Sequence, residues 1–89
     1  MEIKKEMIAR KIGTDIILVP VGNALKEHNG MFMLTESAYF LWEQLPLCDT
    51  VQELAKKLFD EYDVSEEQAL ADTISFTSTL SELGIIDKQ

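Results

Sequence analysis

The stretch Gly30-Met31-Phe32-Met33-Leu34-Thr35-Glu36-Ser37-Ala38-Tyr39-Phe40-Leu41-Trp42-Glu43-Gln44-Leu45-Pro46 decides the fold. It reads as a short apolar strand, Met31 to Leu34, running straight into a helix. Thr35 is a good N-cap, and Glu36 puts a negative charge at the first helical position, where the helix dipole favours it. Leu34 and Tyr39 fall at the two positions of a hydrophobic staple around that cap. Ala38, Leu41, Trp42 and Leu45 follow helical spacing and form one apolar stripe. Pro46 stops the helix. The residues before this stretch read as strands, and those after it read as helices.

Upstream, Met7 to Ile12 alternates imperfectly, with Ile8 and Ile12 on the same face as the stem of Arg10. Gly13-Thr14 forms a hairpin turn, with Gly supplying positive φ. Asp15 to Val21 is β-branched and almost continuously apolar, so both of its faces are expected to be at least partly covered. Pro20 lacks an N–H and belongs near a strand end or on an unpaired side. Gly22 to Gly30 is polar apart from Ala24 and Leu25 and reads as a loop. Three strands are stable only under a cover, which the helices must provide.

Downstream, Thr50 and Glu53 form a capping box. Val51, Leu54, Ala55, Leu58, Phe59 and Tyr62 then repeat at helical spacing, with Lys56, Lys57, Asp60 and Glu61 opposite. The run Asp60-Glu61-Tyr62-Asp63 lacks the glycine and closing glutamate of a calcium loop, and reads as a solvated helix end. Ser65 and Gln68 cap a third helix that runs to about Leu83. Gly84 supplies its left-handed end, and Ile85 packs back on Leu80. At ~100° per residue, Ala69, Thr73, Phe76, Leu80 and Leu83 share one face. Leu70 and Ile74 lie beside that face, so the apolar arc is wider than one core needs. Either this helix is deeply buried, or Leu70 and Ile74 line a groove beside the third strand.

The 89 residues are enough for one domain, 1–89, with strands about 7–34 and helices about 35–84. Hydrophobic residues make up 46% and charged residues 27%, which is a globular balance. No apolar run approaches the ~20 residues of a membrane helix. The start, Met1 to Glu6, has no signal-peptide core, and the single Cys48 allows no intramolecular disulfide, so a cytoplasmic location is expected.

Residues 1–30 carry five basic and four acidic side chains, a net +1; residues 31–89 carry three basic and twelve acidic, a net −9. A phosphate-binding surface needs the opposite sign. The rival reading, a winged-helix DNA-binding module, would place Glu66, Glu67, Asp72 and Glu82 in a groove, with no Lys or Arg to read a base.

No catalytic constellation is visible, and the chain is not expected to be an enzyme or to hold a cofactor. His28, the only histidine, sits in the polar loop and reads as a surface residue. Cys48 has no His nearby in sequence and reads as an idle thiol. The glycines form no phosphate loop, and no Cys/His set has metal-ligand spacing.

The whole chain resembles the family of pyrroloquinoline quinone biosynthesis protein D, the PqqD-like domains or peptide recognition elements. The resemblance rests on linked pieces in order: Ile17-Leu18-Val19-Pro20; Leu34, Ala38, Trp42-Glu43 and Leu45; Val51-Gln52-Glu53-Leu54-Ala55 and Leu58; Glu61-Tyr62-Asp63-Val64; Asp72, Phe76, Leu80 and Leu83-Gly84-Ile85-Ile86. Thr73, Thr77 and Thr79 make the last helix more polar than the usual pattern.

The resemblance implies an α+β, winged-helix-like fold, a three-stranded antiparallel sheet followed by a three-helix bundle. It further implies a stand-alone chaperone that holds the leader segment of a ribosomally made precursor peptide and presents it to a modifying enzyme, often a radical S-adenosylmethionine (radical SAM) enzyme. PQQ biosynthesis is one such pathway, and the residues single out none. The leader is implied to pair as an extra strand on the third strand and to lie against the third helix.

The expected peptide-binding residues are therefore Met31, Phe32, Met33, Leu34, Leu70 and Ile74. Met31 and Met33 are unbranched and polarizable, so they suit varied peptide side chains. By alternation Phe32 and Leu34 are expected to face the core, because Leu34 also serves the helix cap. Expected partners are the peptide and the enzyme, with no nucleic acid and no membrane; a homodimer through the same sheet edge, or another protein-interaction role, is the competing use.

Overall fold

The computed structural model describes residues 1–22 and 32–87. Of the expected loop Gly22 to Gly30, residues 23–30, His28 among them, lie outside the described residues, as does Met31. The chain runs β1 (Met7–Ile12), β2 (Asp15–Pro20), β3 (Phe32–Leu34), α1 (Glu36–Gln44), a 3₁₀ turn (Leu45–Leu47), α2 (Val51–Glu61) and α3 (Glu66–Glu82).

The sheet is antiparallel in the order β1-β2-β3. Gly13, at φ +63°, makes the tight turn that sets Ile12 opposite Asp15 and Met7 opposite Pro20. Leu18 then falls opposite both Ala9 and Phe32, and Ile17 opposite both Arg10 and Met33. Alternation sends Met7, Ala9, Ile16, Leu18, Phe32 and Leu34 toward the helices. Ile8, Arg10, Ile12 and Met33 face outward. The shared face of Ile8, Arg10 and Ile12 is thus the outer one. β2 is central, which explains its nearly unbroken apolar sequence. β3 is an edge strand, and no described strand pairs beyond it.

Each helix starts where its cap chemistry puts it. The side-chain oxygens of Thr35, Thr50 and Ser65 accept from the backbone N–H of Ala38, Glu53 and Gln68 at 3.1, 3.1 and 3.0 Å. Each bond satisfies one of the N–H groups a helix start leaves unpaired. Pro46 ends α1 by tightening the chain into the 3₁₀ turn.

The end of α3 is a Schellman motif: Ile85 N–H donates to Leu80 O at 2.9 Å and Gly84 N–H to Ser81 O at 3.0 Å, with Gly84 at φ +73°. That turn buries Ile85 and Ile86. Lys4 N–H donates to Ile85 O at 2.6 Å, and Ile3 bridges Ile86, so the N-terminal segment is tied to the end of the last helix.

The core lies between the inner sheet face and the bundle and is built on Leu18, Leu41, Trp42, Leu45, Leu54, Leu58, Ala69 and Leu80. Trp42 is 9% exposed, as its place in the α1 stripe requires.

One assignment within α3 is corrected. Its buried face is Ala69, Thr73, Thr77 and Leu80, while Phe76 and Leu83 are only half-buried. Thr77 counts as polar in any periodicity reading. In the fold its hydroxyl donates to Thr73 O at 2.9 Å, and Thr73 donates to Ala69 O at 2.7 Å. With the hydroxyls turned back on the helix, these side chains fit an apolar core.

Candidate functional site

β3, α1 and α3 enclose an open groove of about 670 Å³. The sheet supplies Leu18, Phe32, Met33 and Leu34; α1 and its cap supply Thr35, Ser37, Ala38 and Leu41. From α3 come Asp72, Ser75, Phe76, Thr79, Leu80 and Leu83. Its floor is apolar, and its rim carries hydroxyls and one carboxylate. Thr79 Oγ1 donates to Ser75 O at 3.0 Å, and Asp72 Oδ1 accepts from Gln68 Nε2 at 2.7 Å.

Of the six residues expected to bind peptide, the structure brings Phe32, Met33 and Leu34 together at this groove. Met33 is 70% exposed, while Phe32 and Leu34 pack on the core, the arrangement expected from the position of the cap. Met31 lies outside the described residues.

Leu70 and Ile74 are not at the groove. Leu70, 38% exposed, faces a separate hollow of about 370 Å³ between α2 and α3 with Ala55, Lys56 and Phe59. Ile74 is 47% exposed and lines neither hollow. The expected placement beside β3 is therefore corrected, and so is the alternative of deep burial. The arc of α3 is indeed over-wide, but it widens toward α2. At ~100° per residue Ile74 stands ~160° around the axis from Phe76, so one flank meets β3 and the other does not.

Spacing alone does not find Asp72, Ser75, Phe76, Thr79 and Leu83 as groove residues. Their signal is present in part: the helical wheel assigns Phe76 and Leu83 to the core, and Thr79 stands out as a departure from the family pattern.

The groove meets a smaller hollow of about 300 Å³ at the first turn of α1, lined by Thr35, Glu36, Ser37, Leu58, Tyr62, Val64 and Asp72. Tyr62 Oη donates to Glu36 O at 3.4 Å, and the Phe40 ring meets the Tyr62 ring edge-on at 5.7 Å. Burial, then the nearby carboxylates of Glu36 and Glu61, pushes the Tyr62 phenol above its ordinary value.

Little else in the described residues offers chemistry. Cys48 is buried, and burial pushes its thiol up against the opposing pull of Lys57. A protonated, covered thiol is a poor nucleophile. Among the described residues no group of three or more His, Cys, Asp or Glu is placed to hold a metal ion. No helix among them is long and apolar enough to cross a membrane.

Comparison with known proteins places this geometry. The family model for coenzyme PQQ synthesis protein D (PqqD) matches residues 16–86. A solved structure described as TbiB1 in complex with the TbiA(beta) leader peptide superposes with a TM-score of 0.72 at 17% identity, covering 100% of this chain and 98% of that one. At that identity the likeness establishes a shared fold. A search of curated proteins found no match.

Proposed function

We propose that this chain, which belongs to the coenzyme PQQ synthesis protein D family, holds the leader segment of a ribosomally made precursor peptide as an added strand on β3. It then presents the rest of the peptide to a modifying enzyme, of the radical SAM class or another, and is itself a non-catalytic carrier. The observation that carries this reading is an edge strand bordered along its length by an apolar groove.

Strand addition uses the main chain for affinity and pockets for specificity. Three residues of strand offer only a few hydrogen bonds, each worth about 1 kcal/mol net. Side chains must supply the rest. The groove can take apolar anchors from alternate positions of the peptide, between Phe32 and Leu34 on one wall and Phe76, Leu80 and Leu83 on the other. Met33 meets the peptide's outward-facing side chains. The structural relative was solved with a leader peptide, in line with this use. A second copy paired through the same edge would bring a β3 whose Phe32 and Leu34 already pack on its own core and could not fill the groove, so the peptide reading is preferred to the homodimer.

The test is a titration of isotope-labelled protein with a peptide selected on the immobilised protein from a displayed random library. The largest amide shifts should fall on Phe32 to Leu34 and on α3 between Asp72 and Leu83. Shifts concentrated on α2 would overturn the proposed site.

A further inference from the structure

The groove does not end at an apolar wall. Ser37 and Asp72 border both it and the smaller hollow at the start of α1. Leu58, Tyr62 and Val64 give that hollow an apolar lining, and the carboxylates of Glu36 and Asp72 border it from two different helices.

No ion pair among the described residues reaches either carboxylate; the cations of Lys4 and Lys56 are taken by Glu2, Asp87 and Asp60. The one described side-chain hydrogen bond at these two groups joins Asp72 Oδ1 to Gln68 Nε2, leaving Asp72 Oδ2 available. An open apolar hollow bordered by two carboxylates that no described cation pairs suits one kind of side chain, a methylene stem ending in a cation.

We propose that this hollow is a side-chain subsite for a lysine or arginine of the bound leader, with the stem against Tyr62 and Val64 and the head between Glu36 and Asp72. The inference rests on the peptide-binding reading and names the class of leader it selects: apolar anchors for the groove, and one basic residue at a fixed distance from them. The −9 charge of residues 31–89 attracts any cation over a distance. Fixed spacing is what distinguishes a subsite from that general attraction.

The experiment is a random displayed peptide library selected in parallel on three immobilised proteins: the native chain, the Glu36→Gln/Asp72→Asn variant, and a charge-matched control, Glu43→Gln/Glu67→Gln, altered at exposed positions outside both cavities. The native chain and the control should enrich peptides with a basic residue at constant spacing from apolar anchors. The Glu36→Gln/Asp72→Asn variant should keep the anchors and lose the basic position. Replacing that residue by methionine in a selected peptide should weaken binding to the native chain about fivefold to tenfold, and leave binding to the Glu36→Gln/Asp72→Asn variant unchanged.

Apolar anchors without a basic position, or a basic preference that survives in the Glu36→Gln/Asp72→Asn variant, would overturn the subsite and leave the groove standing. Enrichment of nothing, or of peptides whose amide shifts avoid β3, would overturn the peptide-binding reading and the subsite with it.

Discussion

Two substitutions of the same kind on one helix separate the true groove from the flank that sequence pattern favours. Thr79→Asp and Ile74→Asp both put a carboxylate at an exposed position of α3, ~140° apart around its axis. Thr79 lines the groove beside β3 and Ile74 does not. An apolar peptide anchor seated between Leu34, Phe76 and Leu83 is worth ~1.5–3 kcal/mol. A carboxylate at the wall must stay hydrated or be buried unpaired, and either forfeits a good part of that value. Thr79→Asp should therefore weaken a library-selected peptide about tenfold, or ~1.4 kcal/mol. Ile74→Asp should bind within about twofold of native, well inside ~1 kcal/mol.

The fold should survive both changes. Asp is close to Thr and Ile in helix propensity, and at Thr79 a negative charge in the last turn of α3 costs ~0.3–1 kcal/mol. Domains of this size are typically stable by ~5–15 kcal/mol. Fluorescence anisotropy gives the affinities, and urea midpoints confirm folding. Equal losses in the two variants, or a loss confined to Ile74→Asp, would refute the assignment of the flank.

Other consequences can be checked alongside. Trp42→Ala should cost ~3–5 kcal/mol, because an indole that is 9% exposed leaves a cavity among Leu41, Leu45 and their neighbours; an unchanged urea midpoint contradicts this. Thr73→Val keeps the shape and removes a hydroxyl that bonds only Ala69 O, so it should shift stability by less than ~1 kcal/mol in the same assay. Cys48 has an ordinary value of 9.0, raised in the fold by burial, so the native state holds its proton more tightly than the unfolded chain does. That contribution is complete below pH 9.0 and is lost as pH rises through the higher folded value, so Cys48→Ala should flatten the alkaline fall in stability seen in chemical denaturation. Duplex DNA should not bind at physiological salt, since α3 carries Glu66, Glu67, Asp72 and Glu82 and no cation; a micromolar shift in a gel assay would contradict this.

Local chemistry was legible in the sequence. Thr35, Thr50 and Ser65 cap their helices because a side-chain oxygen two or three residues from an unpaired N–H needs no help from the rest of the fold. Gly84 ends α3 for a similarly local reason. The inward turn of Phe32 and Leu34 follows from alternation plus the cap at Thr35, and the register of β3 against β2 agrees with it. Spacing could not supply the side of α3 on which the sheet lies. A helical wheel gives the width of an apolar arc; its orientation depends on how α3 crosses α2 and the sheet, which no local rule fixes.

The error at Leu70 and Ile74 also has a chemical root in Thr77. Hydropathy treats its hydroxyl as a reason to face water, yet that hydroxyl bonds Thr73 O within the helix and leaves a methyl for the core. Counting Thr77 as outward and Phe76 as core turns the expected buried face roughly 40° away from the real one. The same rotation hides the groove, because it draws Phe76 and Leu83 into the core when they are the half-buried rim along β3. It also leaves Leu70 looking like surplus apolar surface, when that side chain belongs to the seam with Ala55 and Phe59 on α2. One back-bonded threonine thus accounts for both the misplaced flank and the missed wall. In helices of this kind, a Thr four residues from another Thr on the apolar side should be tried as core before the arc is drawn, since each hydroxyl can be satisfied by the carbonyl one turn back.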